Sequence, residues 1–302
     1  MPNKNDYIRT DLAVETIAGP DQGKSTLYEE KDIEFTEEET EGITVSTMHI
    51  KSEHGANLTG KPCGIYSTVF IGRIWLEGED KLDSISHILA SHIKQFADRM
   101  SPGADNILIA GLGNRDITAD AIGPLSVNSI NITRHIKTHD AKLFAQIAES
   151  EISSVVPGVL GQTGIETSTL INGAVDNVKP SLVVVIDALA ARSTDRLATT
   201  VQLCDSGIFP GSGIGNKRTA INQDVLGVPV LVIGVPTVVD SSTLVYDVLE
   251  KADIEHIDDK LTEILENGRS FFVSPKECDI AVSELSKLIA RSINIAFGNI
   301  FS

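Results

Sequence analysis

Two aspartates follow apolar strand segments in a chain of alternating strands and helices, a position from which carboxylates can act in catalysis. Asp120 follows the apolar segment 106–110 and a glycine turn, and Asp187 directly follows the apolar run 182–186. A carboxylate at the end of a buried strand is unfavourable unless it is paired, solvated or protonated. Because neighbouring strands lie about 4.8 Å apart, strands ending at one sheet edge bring both carboxylates to one cleft. One of two close carboxylates keeps its proton and polarises a carbonyl while the other activates water, so the pair predicts acid–base hydrolysis of an amide.

Each aspartate also has other interpretations. Asp187 alone is typical of a cap for the backbone amides of the next segment. A metal ion between the two acids is a second interpretation, but no histidine stands in a matching strand-end position, since His135 lies about 22 Å beyond Asp120 along a helix. A Ser-His-Asp triad is disfavoured because the sequence lacks a G-x-S-x-G elbow. We therefore predict neither a metal nor another cofactor.

The glycine turn before Asp120 has the shape of a phosphate-binding loop without its chemistry. A dinucleotide fingerprint needs a third glycine where this chain has Asp116, whose charge opposes a pyrophosphate. The turn instead lets the chain fold back sharply, and the start of the following helix favours the ionised form of Asp120. Asp187 lacks that support, so we predict that Asp187 holds the proton.

A second glycine-rich loop carries basic residues. It spans 205–218 and ends in Lys217 and Arg218. Asn216 precedes the lysine and no Ser or Thr follows it, so the loop is not a Walker A motif. The loop is either a tightly packed turn with a basic rim or a substrate-binding element, and Lys217 and Arg218 are our candidate substrate-binding residues.

The elements around these residues predict an α/β fold. Apolar, β-branched runs such as "NILIAG", "PSLVVVIDA" and "VPVLVIGVP" alternate with helical stretches, which indicates a mostly parallel sheet with helices on both faces. "GITVSTMHI" and "YSTVFIGRIW" alternate apolar and polar residues, so we predict an antiparallel hairpin elaboration within 41–76. Residues 80–100 have helical periodicity. Most of the charged stretch 1–42 is expected to be a solvated, mobile lead-in.

Composition limits the partners. The net charge of −17 repels nucleic acid and anionic membrane, so neither is expected to be a direct ligand. Three widely spaced cysteines favour reduced thiols in a cytoplasmic protein. The N-terminus has no apolar core typical of a secretory signal, and no uncharged run approaches the ~20 residues of a membrane span.

Eight segments together resemble one known family, the germination proteases of spore-forming bacteria. They occur in the family's order over most of the chain. In this sequence they are "YIRTDLAVE", "GLGNRDITADAIGP", "ITRH", "VVPGVLGQTGIETS", "VVVIDALAARS", "DSGIFPGSGIGNKR", "LGVPVLVIGVPTVVD" and "VSPKECD". One departure is the short stretch 241–273, where family members can carry an insertion.

The resemblance implies an activity and a pair of catalytic residues. The family consists of aspartic endopeptidases unrelated in fold to pepsin, which degrade small acid-soluble spore proteins during germination. It implies that Asp120 and Asp187 are the catalytic pair, that the protein works in the forespore or spore core, and that it forms a homotetramer. It also implies a fold related to the hydrogenase maturation endopeptidases, whose acids meet a nickel ion.

The resemblance further implies a self-processing zymogen. The segment Thr10–Glu15 is similar to the motif at which the family cuts its substrates, namely an acid, an apolar residue, Ala, a small residue and Glu. We therefore predict cleavage between Asp11 and Leu12, which divides the chain into a propeptide, 1–11, and a single α/β peptidase domain, 12–302. The segment is expected to be mobile and accessible.

Two other functions remain as alternatives. One is a metal-guided maturation endopeptidase of the same fold. The other is a non-catalytic nucleotide-binding or scaffold protein, which the acidic loop around Asp116 disfavours.

Overall fold

A single mixed sheet forms the centre of the molecule. The computed structural model describes residues 9–16, 31–211, 218–252, 254, 258–267 and 271–298. In these ranges the sheet has nine strands. They are β1 (Ile33–Thr40), β2 (Ile43–Ile50), β3 (Gly64–Phe70), β4 (Asn106–Gly111), β5 (Glu151–Val155), β6 (Leu182–Ala191), β7 (Thr200–Cys204), β8 (Val230–Asp240) and β9 (Phe272–Val273).

Helices connect and cover the strands. The two longest, α2 and α11, pack against each other and carry regularly spaced apolar residues. The α-helices are α1 (Glu53–Thr59), α2 (Glu79–Met100), α3 (Ile122–Val127), α4 (Arg134–His139), α5 (Ala141–Ile147), α6 (Leu160–Thr163), α7 (Thr167–Val178), α8 (Gln223–Leu226), α9 (Ser241–Lys251), α10 (Asp259–Asn267) and α11 (Cys278–Ala296). In the described ranges, no helix combines the length and apolar character needed to cross a bilayer.

The predicted α/β class is confirmed by the topology. The strand order is β1-β2-β3-β7-β8-β6-β4-β5, with β9 beside β8. The strands β5, β4, β6 and β8 run parallel, whereas β1, β2, β3 and β7 form an antiparallel extension that joins β8. The β2–β3 pairing is the antiparallel pair predicted within 41–76. The antiparallel part extends beyond that range because β7 bridges β3 to the parallel strands.

Side chains from the parallel strands pack alternately onto the two faces. On β4, Ile107 and Ile109 point to the side covered by α2, α3 and α11, and Leu108 and Ala110 point to the side covered by α7. Helices therefore cover both faces, as predicted. Burial on both faces also explains why these strands are continuous apolar runs.

The expectation of a mobile lead-in is wrong for residues 33–40. This acidic segment is strand β1, which pairs with β2 along its whole length, from Ile33 opposite Ile50 to Thr40 opposite Ile43. Only Ile33 is buried, and the remaining side chains of the strand are exposed. Backbone pairing with a neighbouring strand stabilises the segment although its own pattern has little apolar character. Its row of acids also discourages a further chain from pairing with this edge.

Candidate active site

Asp187 lies inside β6, beyond the end of its neighbour β4. The sequence suggested that the strand stops at Ile186, but β6 continues to Ala191 because β8 pairs with it along this length. On the other side, β4 pairs only as far as Gly111 opposite Ile186. The Asp187 side chain is 6% exposed and accepts a hydrogen bond from the Ala188 N–H at 2.9 Å. The Asp187 side chain therefore lies next to the C-terminal end of β4, the shorter of the two strands.

A glycine turn and a 3-10 turn place Asp120 at the same edge. The turn begins where the Leu112 N–H donates to the Ile186 carbonyl at 2.8 Å. Asp120 ends the 3-10 turn Thr118–Asp120, and its carboxylate accepts a hydrogen bond from the Asn114 N–H at 2.7 Å. The Thr237 hydroxyl on β8 holds the Ala119 carbonyl at 2.5 Å. The ionised form of Asp120 is therefore supported by an amide of the glycine turn rather than by a hydrogen bond from the first turn of α3.

Gly113 is required for this arrangement. Its φ is +108°, and a Cβ atom there would lie 2.0 Å from the backbone oxygen of Asp120. We expect Gly113→Ala to displace Asp120 and to abolish activity, with a loss of more than about 1–2 kcal/mol in the free energy of unfolding. Gly164→Ala is the matched control, because Gly164 also has a positive φ, +70°, but open space around it. Denaturant unfolding of both variants measures the difference; an equal loss in both would show that the close approach at Gly113 has no cost of its own.

Asp120 and Asp187 line one cavity of about 520 Å³. Apolar side chains surround the acids, and three on the rim, Ile117, Phe209 and Phe272, are 44–54% exposed. A cavity of this size and character is typical of a ligand site. In the described part of the chain, no group of three or more His, Cys, Asp or Glu side chains is arranged to hold a metal ion.

The two carboxyl groups have different electrostatic environments. Burial raises the pKa of Asp120, while the Asn114 N–H and the charge of Arg218 oppose that shift. Burial raises the pKa of Asp187 well above its usual range, and the nearby charges of Asp120 and Asp11 raise it further. The pair therefore favours a neutral Asp187 and an ionised Asp120. That Asp187 holds the proton during catalysis stays a prediction.

This environment makes ionisation of Asp187 costly to the fold. Since the folded-state pKa is raised, the cost is absent below the unfolded pKa of about 4 and is complete once the pH exceeds the folded pKa. We expect Asp187→Asn to raise the free energy of unfolding by about 1–3 kcal/mol at pH values above the folded pKa, with no gain near pH 4. Urea unfolding across pH measures this, with the exposed Asp116→Asn as control. A destabilised Asp187→Asn protein at high pH would contradict it.

The structure describes only one of the two candidate substrate-binding residues, Lys217 and Arg218. Arg218 lines the cavity and its charge lowers the pKa of both Asp120 and Asp187, so it faces the acidic pair. Lys217 lies outside the described residues. Sequence reasoning missed Thr237, which fixes the loop before Asp120 from a distant strand. No local pattern indicated it.

The N-terminal segment contradicts the expectation of mobility. Leu12 and Ala13 are fully buried, and residues 13–15 form a 3-10 turn. The Asp11 N–H donates to the Ala190 carbonyl at 2.8 Å, and the Asp11 carboxylate accepts from the Ala190 N–H at 2.9 Å. Asp11 also lines the cavity that contains the acidic pair. Tertiary contacts thus fix a segment whose polar surroundings suggested a free tail.

Comparison with known proteins gives a consistent result. The family model described as germination protease matches residues 10–264. The chain belongs to the germination protease family. It is 38% identical to a germination protease of Caldanaerobacter subterraneus over 96% of this chain and 94% of the relative. It is 37% identical to that of Clostridium perfringens over the same shares, and 42% identical to that of Bacillus subtilis over 82% of this chain and 67% of the relative. It is therefore a peptidase of this family, as the eight segments indicated.

A solved structure is also similar. It is a nickel–iron hydrogenase maturation protease from Thermococcus kodakarensis, with a TM-score of 0.36 and 16% identity over 67% of this chain and 99% of that chain.

Proposed function

We propose that this germination protease is an aspartic endopeptidase that degrades small acid-soluble spore proteins in the forespore or spore core, and that it is made as a self-processing zymogen. The observation that supports this most directly is the placement of buried Asp187 and hydrogen-bonded Asp120 in one cavity, where burial and the charge of Asp120 raise the pKa of Asp187. The apolar rim formed by Ile117, Phe209 and Phe272 suits the side chains of a peptide.

The chemistry follows from the two protonation states. Asp187 donates its proton to the oxygen of the scissile carbonyl, and Asp120 takes a proton from a water molecule whose oxygen attacks the carbonyl carbon. The tetrahedral intermediate collapses when its C–N bond breaks. Asp120 then gives its proton to the leaving nitrogen, and Asp187 recovers a proton from the intermediate's hydroxyl, which yields an acid and an amine. Arg218 lowers the pKa of both carboxyl groups by its positive charge and, from the wall of the cavity, contacts the substrate.

Cleavage of a natural substrate tests the proposal. The purified protein is incubated with one small acid-soluble spore protein, with and without a strong chelator, and the cut sites are mapped by mass spectrometry. We expect the same cuts in both samples. Loss of the cuts with chelator, and their return with added metal, would support the metal-guided alternative. Saturable nucleotide binding without any cleavage would support the non-catalytic alternative.

We also infer that the protein works as a homotetramer. Family resemblance is the support for this assembly. Sedimentation equilibrium of the full chain measures it directly, and a mass equal to one chain at micromolar concentration would contradict it.

A further inference from the structure

The N-terminal segment 10–15 lies in a groove whose side chains hydrogen-bond to its backbone on both sides of the Asp11–Leu12 bond. The Gln202 side chain donates from Nε2 to the Asp11 carbonyl at 3.2 Å and accepts from the Ala13 N–H at 2.8 Å. The Lys61 ammonium donates to the Thr10 carbonyl at 2.8 Å. These contacts use backbone atoms of the bound segment, so they do not depend on its side chains. They fix the position of the Asp11–Leu12 bond along the groove.

Two further contacts select side chains. Leu12 is fully buried and belongs to an apolar cluster. Its buried members are Leu12, Val14, Leu189, Ala191, Leu197 and Val239. Ala13 is also fully buried and packs in the core on the second face of the sheet. The groove thus matches an apolar residue followed by a small one.

A carboxylate site lies three residues beyond the apolar position. The Glu15 carboxylate, in a residue only 5% exposed, accepts from the Arg192 N–H at 2.7 Å and the Ser193 N–H at 2.9 Å. The Arg196 guanidinium lies 3.5 Å away and compensates its charge. Arg196 Nη1 is buried without a hydrogen-bond partner, so the site has donor capacity that Glu15 does not use. Two backbone donors and a guanidinium form a specific receptor for a side-chain carboxylate.

The groove leads into the catalytic cavity. Asp11 pairs with Ala190 through both its backbone N–H and its carboxylate, and Ala190 and Asp187 belong to the same strand and line the same cavity. We propose that this groove also receives protein substrates, with Gln202 as a positioning residue and Arg196 as a specificity residue that selects a glutamate three residues after the apolar one. The inference rests on the proposed function, since only a peptidase needs such a groove beside its acids.

Self-cleavage between Asp11 and Leu12 weakens the binding of the remaining N-terminal residues, 12–16, to the groove. The contacts that Arg9, Thr10 and Asp11 make with Thr243, Lys61 and Ala190 leave with the released piece. Residues 12–16 then keep the apolar packing of Leu12 and Val14 and the hydrogen bonds of Ala13 and Glu15, but they lose the contacts before the cut. An incoming peptide that offers the complete set of contacts displaces them.

Peptide binding to the full chain tests the groove independently of cleavage. The chain carries Leu12→Ser and Glu15→Ser, which release its own segment, and Asp187→Asn, which prevents turnover. Fluorescence anisotropy compares a labelled peptide with the sequence of residues 9–16 and the same peptide with its glutamate replaced by glutamine. We expect the glutamate peptide to bind at least about tenfold more tightly, because glutamine loses the ion pair with the guanidinium.

Arg196→Gln in the same background should remove this preference. Arg291→Gln should keep it; this control loses an equal charge, and Arg291 pairs with Glu79 and Asp83. The preference is the ratio of the affinities of the two peptides for the same variant, so a reduced fraction of folded protein does not alter it. Equal binding of the two peptides, or no saturable binding by the folded variant, would overturn the inference. When Asp187 is restored, binding of the glutamate peptide without cutting would refute the proposed function and leave the groove standing.

Discussion

Asp120→Asn and Asp187→Asn should each abolish cleavage of a protein substrate, with a fall of about 10²–10⁴-fold in rate. Asparagine at 187 has no acidic proton to give to the carbonyl, and asparagine at 120 takes no proton from water. Because the pair acts as a unit, the double variant should lose little more than either single variant. Initial rates on one small acid-soluble spore protein measure all three.

The controls separate chemistry from folding. Asp116→Asn removes an acid from the same glycine turn, but its side chain is exposed, so activity should persist. Thermal melts of each variant show whether the fold is retained. A well-folded Asp120→Asn or Asp187→Asn protein with substantial turnover would eliminate the two-aspartate mechanism.

The second large effect concerns the N-terminus. During incubation across a mildly acidic pH series, the full-length protein should lose residues 1–11 and begin at Leu12, whereas Asp187→Asn should remain intact. Asp187 must be neutral to act, and its raised pKa keeps it neutral at mildly acidic pH, so the rate should fall as the pH rises through that pKa. N-terminal sequencing and the time course measure both.

The position of the N-terminal segment also predicts that self-cleavage has first-order kinetics. Residues 10–15 lie in the groove of their own chain, and Asp11 lines the cavity that holds the acids. Cleavage within one chain is therefore expected, and its half-time should not change with protein concentration. Trimming of purified Asp187→Asn at the same bond, with no active enzyme present, would assign the cut to another agent.

Much of the candidate site could be predicted from local sequence. The run 182–186 before Asp187 and the glycine turn before Asp120 predicted parallel strands ending at one edge, and both side chains line one cavity. The family followed from eight ordered segments. These inferences succeed because an apolar run, a turn and the residue after it are close in the chain, so their pattern records the burial and direction that each requires.

The tertiary structure alone decided the contacts between distant segments. Gln202 and Arg196 lie more than 180 residues from Asp11 and Glu15, yet they hold them in the groove. The acidic strand β1 and the buried Leu12 likewise depend on partners that no nearby residue indicates. Sequence determined which groups are present and where the apolar runs of the parallel strands lie, whereas pairing with β8 decided that β6 continues to Ala191. Burial, charge pairing and the raised pKa of Asp187 arise from groups brought together by folding, and the free energy of those contacts depends on distance in space rather than along the chain.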